Sequence, residues 1–311
     1  MIGLAPIFGK QAIGGGLPPL AVVAARTAGA SLLVFIAILL FRRRLLYIFP
    51  LGLVGCFLAG GLNGAGSLLY YSGLARVDAG LGQLLFSLHP IFVAMFVYLD
   101  GQRHSRLTIA GLLLSLPAVY LLTGPDSIHV DLRGAAMMLG AGLLYALHIP
   151  INQRVLYEAP APTVTLYTLL AMSIVVIPAF LAFSPPVHDL PQEALRPVLA
   201  LTAVTFLSRL ALFAGVKSIG GMQASLLGLA ELLVAVSLAQ VWLGESLVTS
   251  QWAGALLMAI ALVLAGRDRL QTTPNPGRGW LYWLRPPLPA ILPSGTEASE
   301  LPGENPSGLP R

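Results

Sequence analysis

The sequence predicts an all-α integral membrane protein: ten transmembrane helices arranged as two inverted five-helix repeats. Three observations carry that expectation. Hydrophobic residues make up 56% of the 311 and charged residues only 10%, against about 25% charged in an ordinary soluble domain. Apolar stretches of about 16–25 residues recur along the chain, each about long enough to cross a bilayer as a helix. Finally, Leu68–Arg103 and Leu210–Glu245 share one punctuation: apolar run, short polar break, second apolar run, polar stop. Moving the first by 142 positions places Gly73 on Gly215, Leu84 on Leu226, Leu85 on Leu227 and Arg103 on Glu245. Repeats with this spacing in an apolar chain are how many secondary transporters are built.

The spans are read in order as Leu20–Phe41, Phe49–Leu74, Gly80–Leu99, Leu107–Leu122, Gly134–Ile151, Val164–Phe183, Pro197–Val216, Met222–Leu243 and Ser250–Ala265. Met1–Ile13 is a tenth segment, because Pro6 and Lys10 fall opposite Pro150 and Arg154, four residues apart in both cases. At 1.5 Å per residue about 13 residues cannot cross roughly 30 Å of hydrocarbon. The expectation is therefore that the first helix is truncated and that translation starts upstream of Met1. The first repeat covers 1–123 and the second 134–266. Five is odd, so the second repeat enters the membrane with opposite orientation. Gly124–Asp131 joins the repeats, and the Pro-rich stretches Ala159–Pro162 and Ser184–Pro191 are loops, since proline removes a backbone donor.

Orientation follows from Lys and Arg in the connections. With the N-terminus cytoplasmic, the inside carries Arg42, Arg43, Arg44, Arg103, Arg106, Arg154, Lys217, Arg267 and Arg269, and the outside Lys10, Arg76, Arg133 and Arg196. Nine against four places both termini inside, in the cytoplasmic (inner) membrane of a prokaryote. The isoelectric point near 9.6 therefore reflects topology, and nucleic acid is not an expected partner. The single cysteine, Cys56, excludes an intrachain disulfide and a Cys-cluster metal site. The tail, 267–311, is expected to be largely disordered, with nine prolines after residue 270 and little apolar periodicity. Within it, Trp280, Tyr282 and Trp283 suit a membrane–water interface.

These features resemble the drug/metabolite transporter superfamily in its ten-helix, EamA-type branch. Leu88–Phe92 (LHPIF) resembles the family's proline-centred fourth-helix motif, and Glu231 the acidic residue that often precedes the matching proline of the ninth. Leu243-Gly244-Glu245 resembles the helix-ending Leu-Gly-Glu, and Arg26 an arginine often seen early in the second helix. Leu232 replaces the second proline and Arg103 the first repeat's glutamate. The resemblance covers about Met1–Gly266. It implies a secondary transporter of small metabolites, often an exporter, and does not name the substrate.

Several residues are candidates for the substrate pathway. Without bulk water, helices associate by close packing, so the small residues of Ala59–Ser67, with Gly60 and Gly64 in GxxxG spacing, mark a contact face. Asn63 inside that patch is a cavity candidate, because a buried amide needs partners. Pro90 is expected to bend the fourth helix and free a backbone carbonyl; Pro6, Pro117, Pro150 and Pro178 are weaker cases. His89, beside Pro90, and His148, close before Pro150, can titrate or simply donate one hydrogen bond. Ionisable residues at depth cost about 2.5–3.5 kcal/mol on insertion scales and face a cavity or a partner. Arg26, Arg209 and Glu231 qualify, and Arg209 and Glu231 are expected to share the central cavity. Lys10 and Lys217 read as snorkelling anchors. Asp100, Arg103 and Glu245 read as helix-end residues of the loops.

No GxxxxGK[ST] loop, HExxH motif or nucleophile–base pair is present in the sequence, so no cofactor is implied and ATP-driven pumping by this chain is not expected. The expected partners are a small metabolite, the lipid bilayer and a coupled proton as one option. A membrane-embedded enzyme acting on a lipid-linked substrate is the alternative; scattered Asp, Glu and His weigh against it. A structural membrane subunit is a third option, disfavoured by the buried charges.

Overall fold

The computed structural model describes residues 5–77, 85–101, 104–123, 131–184, 192–230, 249–267, 279–281 and 283–284. Among them ten α-helices follow one another: α1 (Ala5–Gly14), α2 (Pro19–Phe41), α3 (Pro50–Leu74), α4 (His89–Leu99), α5 (Arg106–Thr123), α6 (Leu132–Leu156), α7 (Ala161–Phe183), α8 (Gln192–Ile219), α9 (Gly221–Gly228) and α10 (Thr249–Arg267). Five of these, α2, α3, α6, α7 and α8, are long and apolar enough to cross a membrane. No strand occurs among the described residues.

Proline sets many of the starts. Pro19, Pro50, Pro90 and Pro162 each occupy the first or second helical position, where a missing N–H costs nothing and φ is already helical. The stretch Ala159–Pro162 was expected to be a loop. Pro160 is instead the N-cap of α7 and Pro162 lies in its first turn. At α6 the cap is Asp131, whose side chain accepts the Arg133 N–H at 2.9 Å. That bond holds the exposed Asp131 carboxyl below its ordinary range, with the facing Arg76 adding to the effect.

The helices pack as a two-fold pair of repeats. Helix α3 packs on α6 and α7, and its counterpart α8 packs on α1 and α2. Helices α2 and α7 pack on each other, as do α4 and α9, and α5 and α10. Exchanging the first five helices for the last five therefore maps this set of contacts onto itself. The expected duplication is thus legible in the packing.

Small residues let α3 lie between its neighbours. A Cβ on Gly60 would collide with the Thr168 carbonyl oxygen of α7, and one on Gly64 would come within 3.2 Å of the Met172 carbonyl. On the opposite side, a Cβ on Gly73 would lie 3.1 Å from the Gly134 carbonyl of α6. The glycine patch is a packing seam on two faces, as small residues in membrane helices usually are.

Two helix bounds need correction. Helix α6 was read as ending at Ile151 and runs to Leu156. Its polar end, Asn152-Gln153-Arg154, looks like a stop but is buried because each side chain finds a partner: Thr168, Gly221 and Asp100 respectively. The fourth helix was read from Gly80; residues 78–84 lie outside the described set, Leu85 and Phe86 are helical, Ser87 and Leu88 form a turn, and α4 begins at His89. Most of the tail lies outside the described residues; within it, Leu281 and Leu284 are buried against α3 and α6. Two leucines three residues apart supply an apolar face that proline content alone does not reveal.

Candidate functional site

The site is a cavity of about 380 Å³ among α2, α3, α4, α6, α8 and α9, at the lower end of the roughly 300–1,000 Å³ usual for small-molecule sites. Arg26, Asn63, His89 and Arg209, four of the residues singled out from sequence, line it together. Arg26 lies seven residues into α2, with its guanidinium carbon 5.0 Å from the centroid of the Tyr71 ring. Arg209 lies in α8, 6.0 Å from the centroid of the Tyr145 ring. The negative ring face compensates each cation, an interaction of about 0.5–2 kcal/mol as water is excluded.

Arg209 also has a fixed acceptor. With the Asn63 carboxamide oxygen turned toward α8, it accepts from both terminal nitrogens of Arg209 at 3.0 Å. A neutral oxygen holds the guanidinium in place without cancelling its charge. Arg26 is less satisfied, because its buried Nε has no hydrogen-bond partner among the described residues. The buried hydroxyl of Ser225, also on the cavity wall, is likewise without one.

His89 owes its pose to Pro90. The proline has no N–H to give the Phe86 carbonyl four residues back, and the His89 Nδ1 binds that carbonyl at 3.0 Å. The expected freed carbonyl is therefore real, and it is used to orient the histidine. The contact implies that Nδ1 carries the proton, leaving Nε2 as an acceptor. Pro90 itself is buried behind the wall and does not line the cavity. His148 is fully buried and does not line it either. Its ring packs against Tyr145, with centroids 4.7 Å apart, and against Phe213 at 6.4 Å. It stands behind Tyr145 as support. Glu231 lies outside the described residues.

Sequence reasoning missed the aromatic wall. Tyr70, Phe86, His89, Tyr145 and His148 form a run of ring contacts with centroids about 5 Å apart. Tyr145 precedes His148 by three residues, one helical turn, and that spacing was the available signal.

One end of the bundle is tied shut by polar contacts. Asp100, at the end of α4, pairs with Arg154 of α6 at 2.7 Å, and both side chains are almost wholly buried. Gln153 accepts the Gly221 N–H at 3.0 Å, joining α6 to α9. Gln223 donates to the Thr108 hydroxyl at 3.2 Å, joining α9 to α5. Lys217 donates to the Ala159 carbonyl at 2.9 Å, joining the end of α8 to the α6–α7 connection. Asp100 and Arg154 were assigned to loops from sequence and are instead a buried pair between the two halves. Removing Arg154 from the count of loop charges leaves eight against four, and the sign of the asymmetry stands.

Ten helices among the described residues, five of them long and apolar enough to cross a membrane, pack in a two-fold pattern around a cavity lined by Arg26 and Arg209. The model of the EamA-like transporter family matches the chain twice, over residues 1–124 and 132–267, and the chain belongs to that family. It is thus an integral, multi-pass membrane protein of a transporter family. Threonine/homoserine exporters RhtA of Salmonella typhimurium and Escherichia coli K12 are 34% identical over 122 residues. That match spans 38% of this chain and only 37% of the exporters' length. An uncharacterized transporter of Archaeoglobus fulgidus is 26% identical over 201 residues, 64% of this chain and 71% of that protein. A solved crystal structure superposes with a TM-score of 0.70 at 19% identity, covering 85% of this chain and 92% of that one, which establishes the shared fold.

Proposed function

We propose that the chain is a secondary transporter that exports small zwitterionic or anionic metabolites of the amino-acid type by alternating access. One observation carries this: Arg26 and Arg209 line a single cavity of about 380 Å³, and among its described lining residues there is no carboxylate. A carboxylate-bearing solute supplies the missing negative charge, and guanidinium groups bind carboxylates with two parallel hydrogen bonds. The similarity of part of the chain to threonine/homoserine exporters agrees in substrate class and supports the outward direction.

Glu231 is the proposed counterpart for the solute's ammonium group or for a coupled proton, with His89 as the second proton-responsive group. The exposed Arg42, Arg43 and Arg44 lie at the tied end of the bundle, which supports assigning that end to the cytoplasm. The experiment is flux of radiolabelled amino acids in purified proteoliposomes. Saturable uptake of threonine, homoserine or a similar zwitterion, blocked by an excess of the unlabelled compound, supports the assignment. Flux of cationic solutes alone refutes it.

A further inference from the structure

We propose that residues 279–281 and 283–284 are a latch: a piece of the chain's own tail that recognises the tied end of the bundle and holds it shut. The contacts are those of a bound peptide. Leu281 is 0% and Leu284 1% exposed. They form one buried cluster with Ala59 of α3 and Ile151 of α6, flanked by Leu51, Leu62 and Leu147.

The polar contacts fall on the ion pair that joins the two repeats. Asp100 divides its carboxylate between two partners. Its Oδ2 takes the Arg154 guanidinium at 2.7 Å, and its Oδ1 accepts the Leu281 N–H at 3.2 Å. Trp280 donates from its indole to the Phe96 carbonyl of α4 at 3.4 Å. Gly279 has a φ of +106°, and a Cβ there would collide with the Asp100 carbonyl oxygen. Glycine is required twice over at that point, by conformation and by space.

Position turns this binding into a control. Helix α4 belongs to the first repeat and α6 to the second, and alternating access moves repeats against one another. Opening the tied end must draw Asp100 away from Arg154. The docked segment shares that carboxylate and fills the groove beside it, so opening must also expose Leu281 and Leu284. Trp280 and Trp283 remain about 40% exposed, so the segment lies at the surface and can leave without unfolding the bundle. Its release would then set how often the tied end opens. The inference rests on alternating access in the proposed function, and not on the choice of substrate.

The test uses the natural single cysteine. Cys56 is fully buried and follows Gly55, whose position abuts Leu284. Its rate of maleimide labelling in detergent reports opening and needs no substrate, so this experiment stands even if the amino-acid assignment fails. A chain ending at Arg267 should label at least about a hundredfold faster than the full chain, since burial of two leucines is lost. A synthetic peptide covering 277–292, added in excess, should return the rate to that of the full chain. If the shortened chain is not monodisperse, the full-length Leu281→Ser/Leu284→Ser variant is judged by the same rate and the same rescue. An unchanged or slower rate overturns the latch. So does a faster rate that the peptide does not reverse, which marks the segment as ordinary packing.

Discussion

Asn63 presents its carboxamide oxygen to both terminal nitrogens of Arg209 at 3.0 Å, so a neutral side chain holds the cavity's cation. This arrangement keeps the charge available. A carboxylate at the same place would satisfy the geometry and neutralise Arg209.

Asn63→Asp is therefore predicted to preserve or raise thermal stability while lowering transport at least about tenfold, because an Asp–Arg pair neutralises Arg209 and leaves Arg26 as the one uncompensated cation among the described lining residues. Melting temperature and flux, measured on one preparation, separate the two effects. A variant with normal flux would show that Arg209 does not meet the substrate.

The Asp100–Arg154 pair gives a second prediction. Both side chains are at most 2% exposed, so removing one leaves a charge in a dry site, at a cost of about 3–5 kcal/mol. Asp100→Ala should lower the unfolding temperature sharply. The double change Asp100→Ala/Arg154→Leu should recover much of that loss, since no charge is then stranded. Equal destabilisation by the single and double changes would mean that the charges are not coupled.

Gly60 provides a third. A Cβ there meets the Thr168 carbonyl and the Ala171 methyl, which are backbone and short side chain and cannot step aside. Gly60→Ala is expected to destabilise by about 1–3 kcal/mol, the usual cost of overpacking. Gly61→Ala is the control, because its nearest neighbour would be 4.0 Å away. Similar melting points for the two variants would remove the α3–α7 seam from the account.

Much of this fold was legible in the sequence, and the reasons are physical. A membrane helix must be about 20 residues of apolar chain, so run length alone located α2, α3, α7 and α10 within a few residues of their observed ends. The cavity was legible in part. Arg26, Asn63 and Arg209 stood out because a polar group inside an apolar run needs a reason. Asp100 and Arg154 did not, since a charge at the end of a run looks the same whether it faces water or a partner 54 residues away. The aromatic wall was missed because Tyr70, Phe86 and Tyr145 are ordinary residues of an apolar run, and so was the pairing of Tyr71 and Tyr145 with the two arginines. Leu281 and Leu284 were hidden by the prolines around them.

Topology supplies a fourth prediction. With five passes expected per repeat, the loop charges predict that Arg44 and Arg106 lie on the cytoplasmic side and Ile128 on the opposite one. Reporter fusions after each residue read the side directly. A common signal from Arg44 and Ile128 would be incompatible with inverted repeats.

The central claim is that Arg26 and Arg209 bind the carboxylate of the transported solute. Its most direct measurement is competition against labelled threonine flux in proteoliposomes by two unlabelled series: solutes that keep the carboxylate, and the matching amines that lack it. Only the carboxylate series is expected to compete, and Arg209→Gln and Arg26→Gln should each weaken this competition by about tenfold to a hundredfold, the effect of losing a charged hydrogen-bond pair. Equal competition by the amines, undiminished in both variants, would contradict it.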